Sequence, residues 1–125
     1  MALFSAGASV SAEYAPKAVS QGCVVVDNSS CFRYNDEIAL IVPEVNGDEL
    51  SNYDLPSIIA NPNCSTIQML VALKPIHEEF KIERIDVTTL QAVSGTGKEA
   101  TEELLDQLSA YQGDNEFENS KIDIK

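Results

Sequence analysis

The residues best equipped for chemistry lie in Asn61-Pro62-Asn63-Cys64-Ser65-Thr66. This stretch follows the apolar run Ser57-Ile58-Ile59-Ala60 and leads into a segment of helical periodicity. That order puts Cys64 at or beside a helix N-terminus, where unpaired N–H groups and the helix dipole favour negative charge. The thiolate is the form of cysteine that attacks carbon, so the placement suits an acyl-transfer nucleophile. A structural cysteine buried at a helix start is the competing account. Arg33 is one of only eight basic residues and follows the polar stretch Asp27-Asn28-Ser29-Ser30. Its planar guanidinium suits a phosphate, with an ion pair to Asp27 or Asp36 as the alternative. Gln91 offers a neutral amide that donates and accepts without adding charge beside a sulfur, though an ordinary polar loop residue would look the same. His77 is the only histidine. It stands roughly 20 Å from Cys64 by helical rise, too far to serve that sulfur as a base. A cysteine hydrolase or acyltransferase, which needs such a histidine nearby, is therefore the weaker reading.

Composition narrows the function classes. With 125 residues the chain is long enough for one ordinary domain and short for two. Its formal net charge of −12 argues against nucleic acid and against an anionic membrane surface as partners. Cys23, Cys31 and Cys64 are an odd set without CxxC spacing, so no zinc site or disulfide framework is expected and a reducing compartment fits best. No apolar run approaches membrane-spanning length. The start, Met1-Ala2-Leu3-Phe4-Ser5, lacks the basic flank and long apolar core of a signal peptide. The expected location is the cytoplasm, and no metal is expected.

The elements that must position these residues alternate. Ala2-Leu3-Phe4 is predicted as a short strand, and a helix follows over about Ser9–Gln21, bent or late-starting at Pro16 and stopped by Gly22. Cys23-Val24-Val25-Val26 is a β-branched run suited to a strand buried on both faces, with Cys23 as a packing residue. Ala39–Val42, closed by Pro43, and Ser57–Ala60 are further strands. Thr66, Met69, Leu70, Leu73 and Ile76 then mark one face of a helix of three to four turns. Lys81–Leu90 is β-branched enough to predict a strand. The turn Ser94-Gly95-Thr96-Gly97 opens an acidic-first helix over Lys98–Leu108. Residues 111–125 are polar and weakly patterned, reading as loop or a disordered tail. Strand and helix in alternation, with polar residues at each strand's carboxyl end, describe a doubly wound α/β sheet whose ligands collect at those ends.

Five motifs, in order, resemble aspartate-β-semialdehyde dehydrogenases. They are Phe4-Ser5-Ala6-Gly7, Asp27-Asn28-Ser29-Ser30-Cys31-Phe32-Arg33, Val42-Pro43-Glu44-Val45-Asn46, Ile59-Ala60-Asn61-Pro62-Asn63-Cys64-Ser65-Thr66 and Gln91-Ala92-Val93-Ser94-Gly95-Thr96-Gly97-Lys98-Glu99. The resemblance spans residues 2 to about 112. Relatives of the same fold differ: N-acetyl-glutamyl-phosphate reductases carry glycine where this chain has Asn63, and glyceraldehyde-phosphate dehydrogenases use a Ser-Cys-Thr-Thr pattern. Leu90 and Cys31 depart from the family, which commonly has tyrosine and alanine there; neither change removes a chemical role.

The resemblance implies NADPH-dependent reduction of L-aspartyl 4-phosphate to the 4-semialdehyde with release of phosphate, towards lysine, methionine and threonine. It implies Cys64 as acyl nucleophile, Gln91 as the amide orienting the substrate, and Arg33 and Asn63 as substrate-binding residues. Ser5, Ala6, Gly7 and Asn28, with Ser94 and Gly95, are implied to contact NADP. Residues 1–63 become the end of a Rossmann-like dinucleotide domain and 64–125 the start of an α+β catalytic and dimerisation domain. Family members are homodimers or tetramers of more than twice this length. The family's glycine-rich fingerprint, acid/base histidine and carboxylate-gripping arginine have no counterpart here. The expectation is therefore a truncated segment, or else a catalytically inert piece of such an enzyme.

Overall fold

A computed structural model describes residues 1–112, so the tail from 113 onward lies outside the described residues. The chain divides into two compact units, Met1–Glu83 and one beginning at Arg84.

The first unit is built on four short parallel strands: β1 (Ala2–Phe4), β2 (Val25–Asp27), β3 (Ala39–Leu40) and β4 (Ile58–Ala60), in the spatial order β1-β2-β4-β3. Parallel strands need a crossover, and α1 (Ala8–Ser20) supplies it between β1 and β2, packing on β1, β2 and β4. Its inward stripe is small: Ser11 and Ala15, one turn apart, are both fully buried. The helix neither starts late nor breaks at Pro16. Proline frees only the carbonyl of Ala12, and both residues are exposed, so water satisfies it. It stops as predicted at Gly22, whose φ of 79° is left-handed. Gly22 N–H donates to the Val19 carbonyl at 2.9 Å and Cys23 N–H to that of Ala18 at 3.1 Å, a complete Schellman closure.

Burial in the sheet is one-sided. Val25 and Asp27, two apart and on the face α1 covers, are fully buried, whereas Val26 is half-buried. Leu3, which pairs with Val26, is 76% exposed. Burial on both faces thus fails for β2 because no described helix seals the second face at Leu3. Cys23 precedes β2 and is only half-buried. The predicted third strand shortens to Ala39–Leu40; Ile41 and Val42 are buried beyond its end, with Ile41 N–H donating to the Ala60 carbonyl at 3.1 Å and Val42 N–H to Asn46 Oδ1 at 2.9 Å, and Pro43 opens α2 (Pro43–Asn46).

Beyond β4, α3 (Cys64–Phe80) runs 17 residues, longer than its apolar spacing predicted, and ends at Lys81 with φ 56°. Ile67, Met69, Leu70 and Leu73 are half-buried along it. Lys81–Leu90 is not a strand. A strand is a ladder, not a composition, and this segment pairs with none of the described strands. Val87 and Leu90 are accordingly 64% and 99% exposed.

The described part of the second unit holds a 3-10 turn at Val93–Thr96, then Gly97 at φ 118°, then α4 (Lys98–Gln112). Ala100 is its buried residue on α4. No described helix is long and apolar enough to cross a membrane.

Candidate active site

Phe4, Asp27 and Ala60 are aligned neighbours in the sheet, so the residues that follow them, Ser5, Asn28 and Asn61, form one row on its carboxyl rim. The row is stitched together by side chains. Asn61 Nδ2 donates to Asn28 Oδ1 at 2.7 Å, and Asn28 Nδ2 donates to Ser5 Oγ at 3.4 Å. Below them the main chain continues the ladder, Asn28 N–H to the Phe4 carbonyl and Asn61 N–H to that of Asp27, both 2.8 Å.

Arg33 reaches back over this row from the loop after β2. Its Nε donates to the Asn61 carbonyl at 2.8 Å and Nη2 to the Asn28 carbonyl at 3.1 Å. Neither Asp27 nor Asp36 forms an ion pair with it, which removes the alternative open in the sequence. A guanidinium carries five N–H donors. Two bind these carbonyls, so the cation is held in place with donors to spare for an anion.

Cys64 stands three residues beyond Asn61 on the same rim, as the first residue of α3, and is exposed. Buried placement, the competing account for this cysteine, does not occur. Asn63 caps the helix: its Oδ1 accepts from Ser65 N at 3.0 Å and Ser65 Oγ at 2.6 Å, and Cys64 Sγ lies 4.0 Å away. The Asn63 carbonyl oxygen is thus engaged locally, leaving its Nδ2 as the group available to a ligand. Asn63→Ala should cost about 1 kcal/mol of stability through loss of the cap. Asn63→Asp, which retains an acceptor, should cost less, as read by urea unfolding followed by circular dichroism.

Ser5, Ala6 and Gly7 are exposed and lead into α1. Gly7 takes φ 99° and ψ 164°, a conformation essentially reserved for glycine, and caps α1 without any side-chain bond. A Cβ at Gly7 would meet no atom within 4 Å, so open space lies before the helix N-terminus. Ser5, Asn28, Arg33, Asn63 and Cys64 are thus brought to one rim.

Gln91, Ser94 and Gly95 belong to the second unit and are all exposed. Gln91 Oε1 accepts from Thr89 Oγ1 at 3.5 Å, and Gly95 N–H donates to the Ala92 carbonyl at 3.1 Å.

Two positions escaped the sequence reading. Asn61 was quoted only as part of a motif, yet it joins β2, β4 and Arg33. Asp27, which heads the polar stretch after the apolar run in the sequence, is the last residue of β2 and fully buried, accepting from Ser11 Oγ at 2.6 Å and Ser29 Oγ at 2.7 Å. The signal was the two-residue strand period, which puts Asp27 on the same face as Val25. Among the described residues no cluster of His, Cys, Asp and Glu has the geometry to hold a metal ion.

Comparison with known proteins adds the family context. Residues 1–53 match the family model described as semialdehyde dehydrogenase, NAD binding domain, and residues 73–125 match semialdehyde dehydrogenase, dimerisation domain. An aspartate-semialdehyde dehydrogenase of Legionella pneumophila is 62% identical over 108 residues, which are 86% of this chain and 31% of that protein. The crystal structure of aspartate semialdehyde dehydrogenase II of Vibrio cholerae, complexed with ASA, superposes with TM-score 0.78 at 51% identity, covering 96% of this chain and 36% of that one. The Candida albicans enzyme with NADP gives TM-score 0.59 at 29% identity, over 77% of this chain and 30% of that one. The chain spans about a third of the length of the curated relatives it matches.

Proposed function

Because this chain belongs to the aspartate-semialdehyde dehydrogenase family, we propose that it is the segment carrying the nucleophile for NADPH-dependent reduction of L-aspartyl 4-phosphate to L-aspartate 4-semialdehyde and phosphate. The observation that carries this reading is the exposed Cys64 at the start of α3, on the rim where Arg33 is anchored. Cys64 Sγ attacks the acyl carbon, the bond from that carbon to the phosphate oxygen breaks, and phosphate leaves with the electron pair. The product on the protein is a thioester. Arg33 holds the phosphate while it is bound and leaving, since charge-assisted bonds from a fixed guanidinium are among the stronger ones. Asn63 keeps the first turn of α3 formed and offers Nδ2 to the substrate. Gln91 orients the acyl group with a neutral amide.

The dinucleotide fits the other end of the rim. Ser5, Ala6 and Gly7 leave open space before α1, and the N-terminus of that helix, which no side chain caps, suits a diphosphate. Asn28, hydrogen-bonded to Ser5, adds a polar edge. Ser94 and Gly95, in the second unit, are proposed as dinucleotide contacts on the family resemblance alone. A reduced dinucleotide held there would supply a hydride to the thioester carbon, with the carbon–sulfur bond breaking to return Cys64 as its thiolate and release the aldehyde. NADPH is the proposed form, in keeping with the Candida albicans relative and its NADP.

The domain boundary is proposed at Asn63, with 1–63 ending the dinucleotide domain and 64–125 beginning the catalytic and dimerisation domain. A homo-oligomer is proposed from the match to a dimerisation-domain model, and a cytoplasmic location from three free cysteines.

Exposure makes the site testable at once. Cys64 is exposed while Cys23 and Cys31 are half-buried. Under limiting iodoacetamide at neutral pH, Cys64 should be alkylated about tenfold faster than either, as read by peptide mass spectrometry. Equal rates at all three would remove the preformed nucleophile site.

A further inference from the structure

Asp27 is the one buried acidic residue among those described. It is fully buried, yet no cation pairs with it among the described residues. Burying a carboxyl group without a cation is unfavourable, and another valine would simply have extended Val24-Val25-Val26. The carboxyl group instead accepts through both oxygens, from Ser11 Oγ at 2.6 Å and Ser29 Oγ at 2.7 Å. Each bond leads to a different part of the rim. Ser11 lies in the second turn of α1, the helix whose N-terminus opens at Ser5-Ala6-Gly7. Ser29 Oγ accepts in turn from Cys31 N–H at 3.1 Å, which fixes the loop two residues before Arg33. The Asp27 carbonyl, finally, accepts from Asn61 N–H at 2.8 Å, at the head of the turn that carries Cys64.

We propose that Asp27 is a positioning residue that holds the dinucleotide turn and the phosphate-binding arginine in register from one buried carboxyl group, through Ser11 on one side and Ser29 on the other. Asp27 touches neither substrate nor dinucleotide. It acts through α1 on one ligand and through the Arg33 loop on the other. The proposal rests on the semialdehyde dehydrogenase reading above.

The experiment uses the Legionella pneumophila enzyme with this chain grafted over its matching segment, assayed as phosphate-dependent oxidation of the semialdehyde. Ser11→Ala should raise KM for the dinucleotide about tenfold, the scale of one lost hydrogen bond, and leave KM for phosphate within about twofold. Ser29→Ala should do the reverse. Asp27→Asn should raise both, with kcat and the alkylation rate of Cys64 little changed. Ser11→Thr and Ser29→Thr, which retain the hydroxyl, should restore the affected constant. A purely structural role would shift the unfolding midpoint and leave both KM values alone, and that result overturns the proposal. So does a rise in both KM values from either serine variant alone. A graft without dinucleotide-dependent activity before any substitution would overturn the functional reading itself.

Discussion

Cys64→Ala in the grafted enzyme is expected to lower kcat by a factor on the order of 10⁴ or more, with KM for the dinucleotide unchanged. Removing a nucleophile removes the covalent step outright, and losses of that size are typical. Dinucleotide affinity should survive because none of the proposed contacts, Ser5 to Gly7, Asn28, Ser94 and Gly95, is hydrogen-bonded to the sulfur. The fold should survive as well. Cys64 is exposed, and among the described residues its one side-chain polar contact is the long approach of Sγ to Asn63 Oδ1 at 4.0 Å. Turnover near that of the unsubstituted graft would eliminate Cys64 as the acyl carrier.

Arg33→Ala should produce the second largest effect, and on a different constant. KM for phosphate is expected to rise about a hundredfold, since bonds to a charged group contribute roughly 1.5–3 kcal/mol each. Stability should fall too. The substitution frees the carbonyls of Asn61 and Asn28, which Arg33 binds at 2.8 and 3.1 Å. Arg33→Lys separates the two roles. A lysine keeps the charge but has no planar fork to hold two carbonyls and a phosphate together, so KM should rise only about tenfold. If Arg33→Ala lowered the unfolding midpoint and left KM for phosphate untouched, Arg33 would be a clamp on the rim and nothing more.

Much of this rim was legible in the sequence, because its parts are local. Gly22 stops α1 through a backbone conformation that glycine adopts freely, a signal that lies within a few residues of its effect. Cys64 was placed by the same logic of strand, turn and helix. Where reading failed, the deciding interaction was distant in sequence. Lys81–Leu90 has strand composition but no described ladder partner, and composition cannot supply one. Arg33 showed two carboxylates as candidate partners in the sequence, yet it binds two carbonyls, one of them 28 positions away. Asp27 heads a polar stretch in the sequence. Its burial depends on Ser11, 16 positions earlier on a helix packed across the strand. Pro16 misled in the other direction, since an exposed proline leaves a carbonyl that water can satisfy.

The central claim is that the acyl group passes through Cys64. The most direct test mixes the grafted enzyme with L-aspartyl 4-phosphate and no dinucleotide, quenches in acid, and maps the adduct by peptide mass spectrometry while counting released phosphate. An aspartyl thioester on the Cys64 peptide, formed with about one phosphate per site, is the expected result. Phosphate released only when dinucleotide is added, or an adduct on any residue other than Cys64, would contradict it.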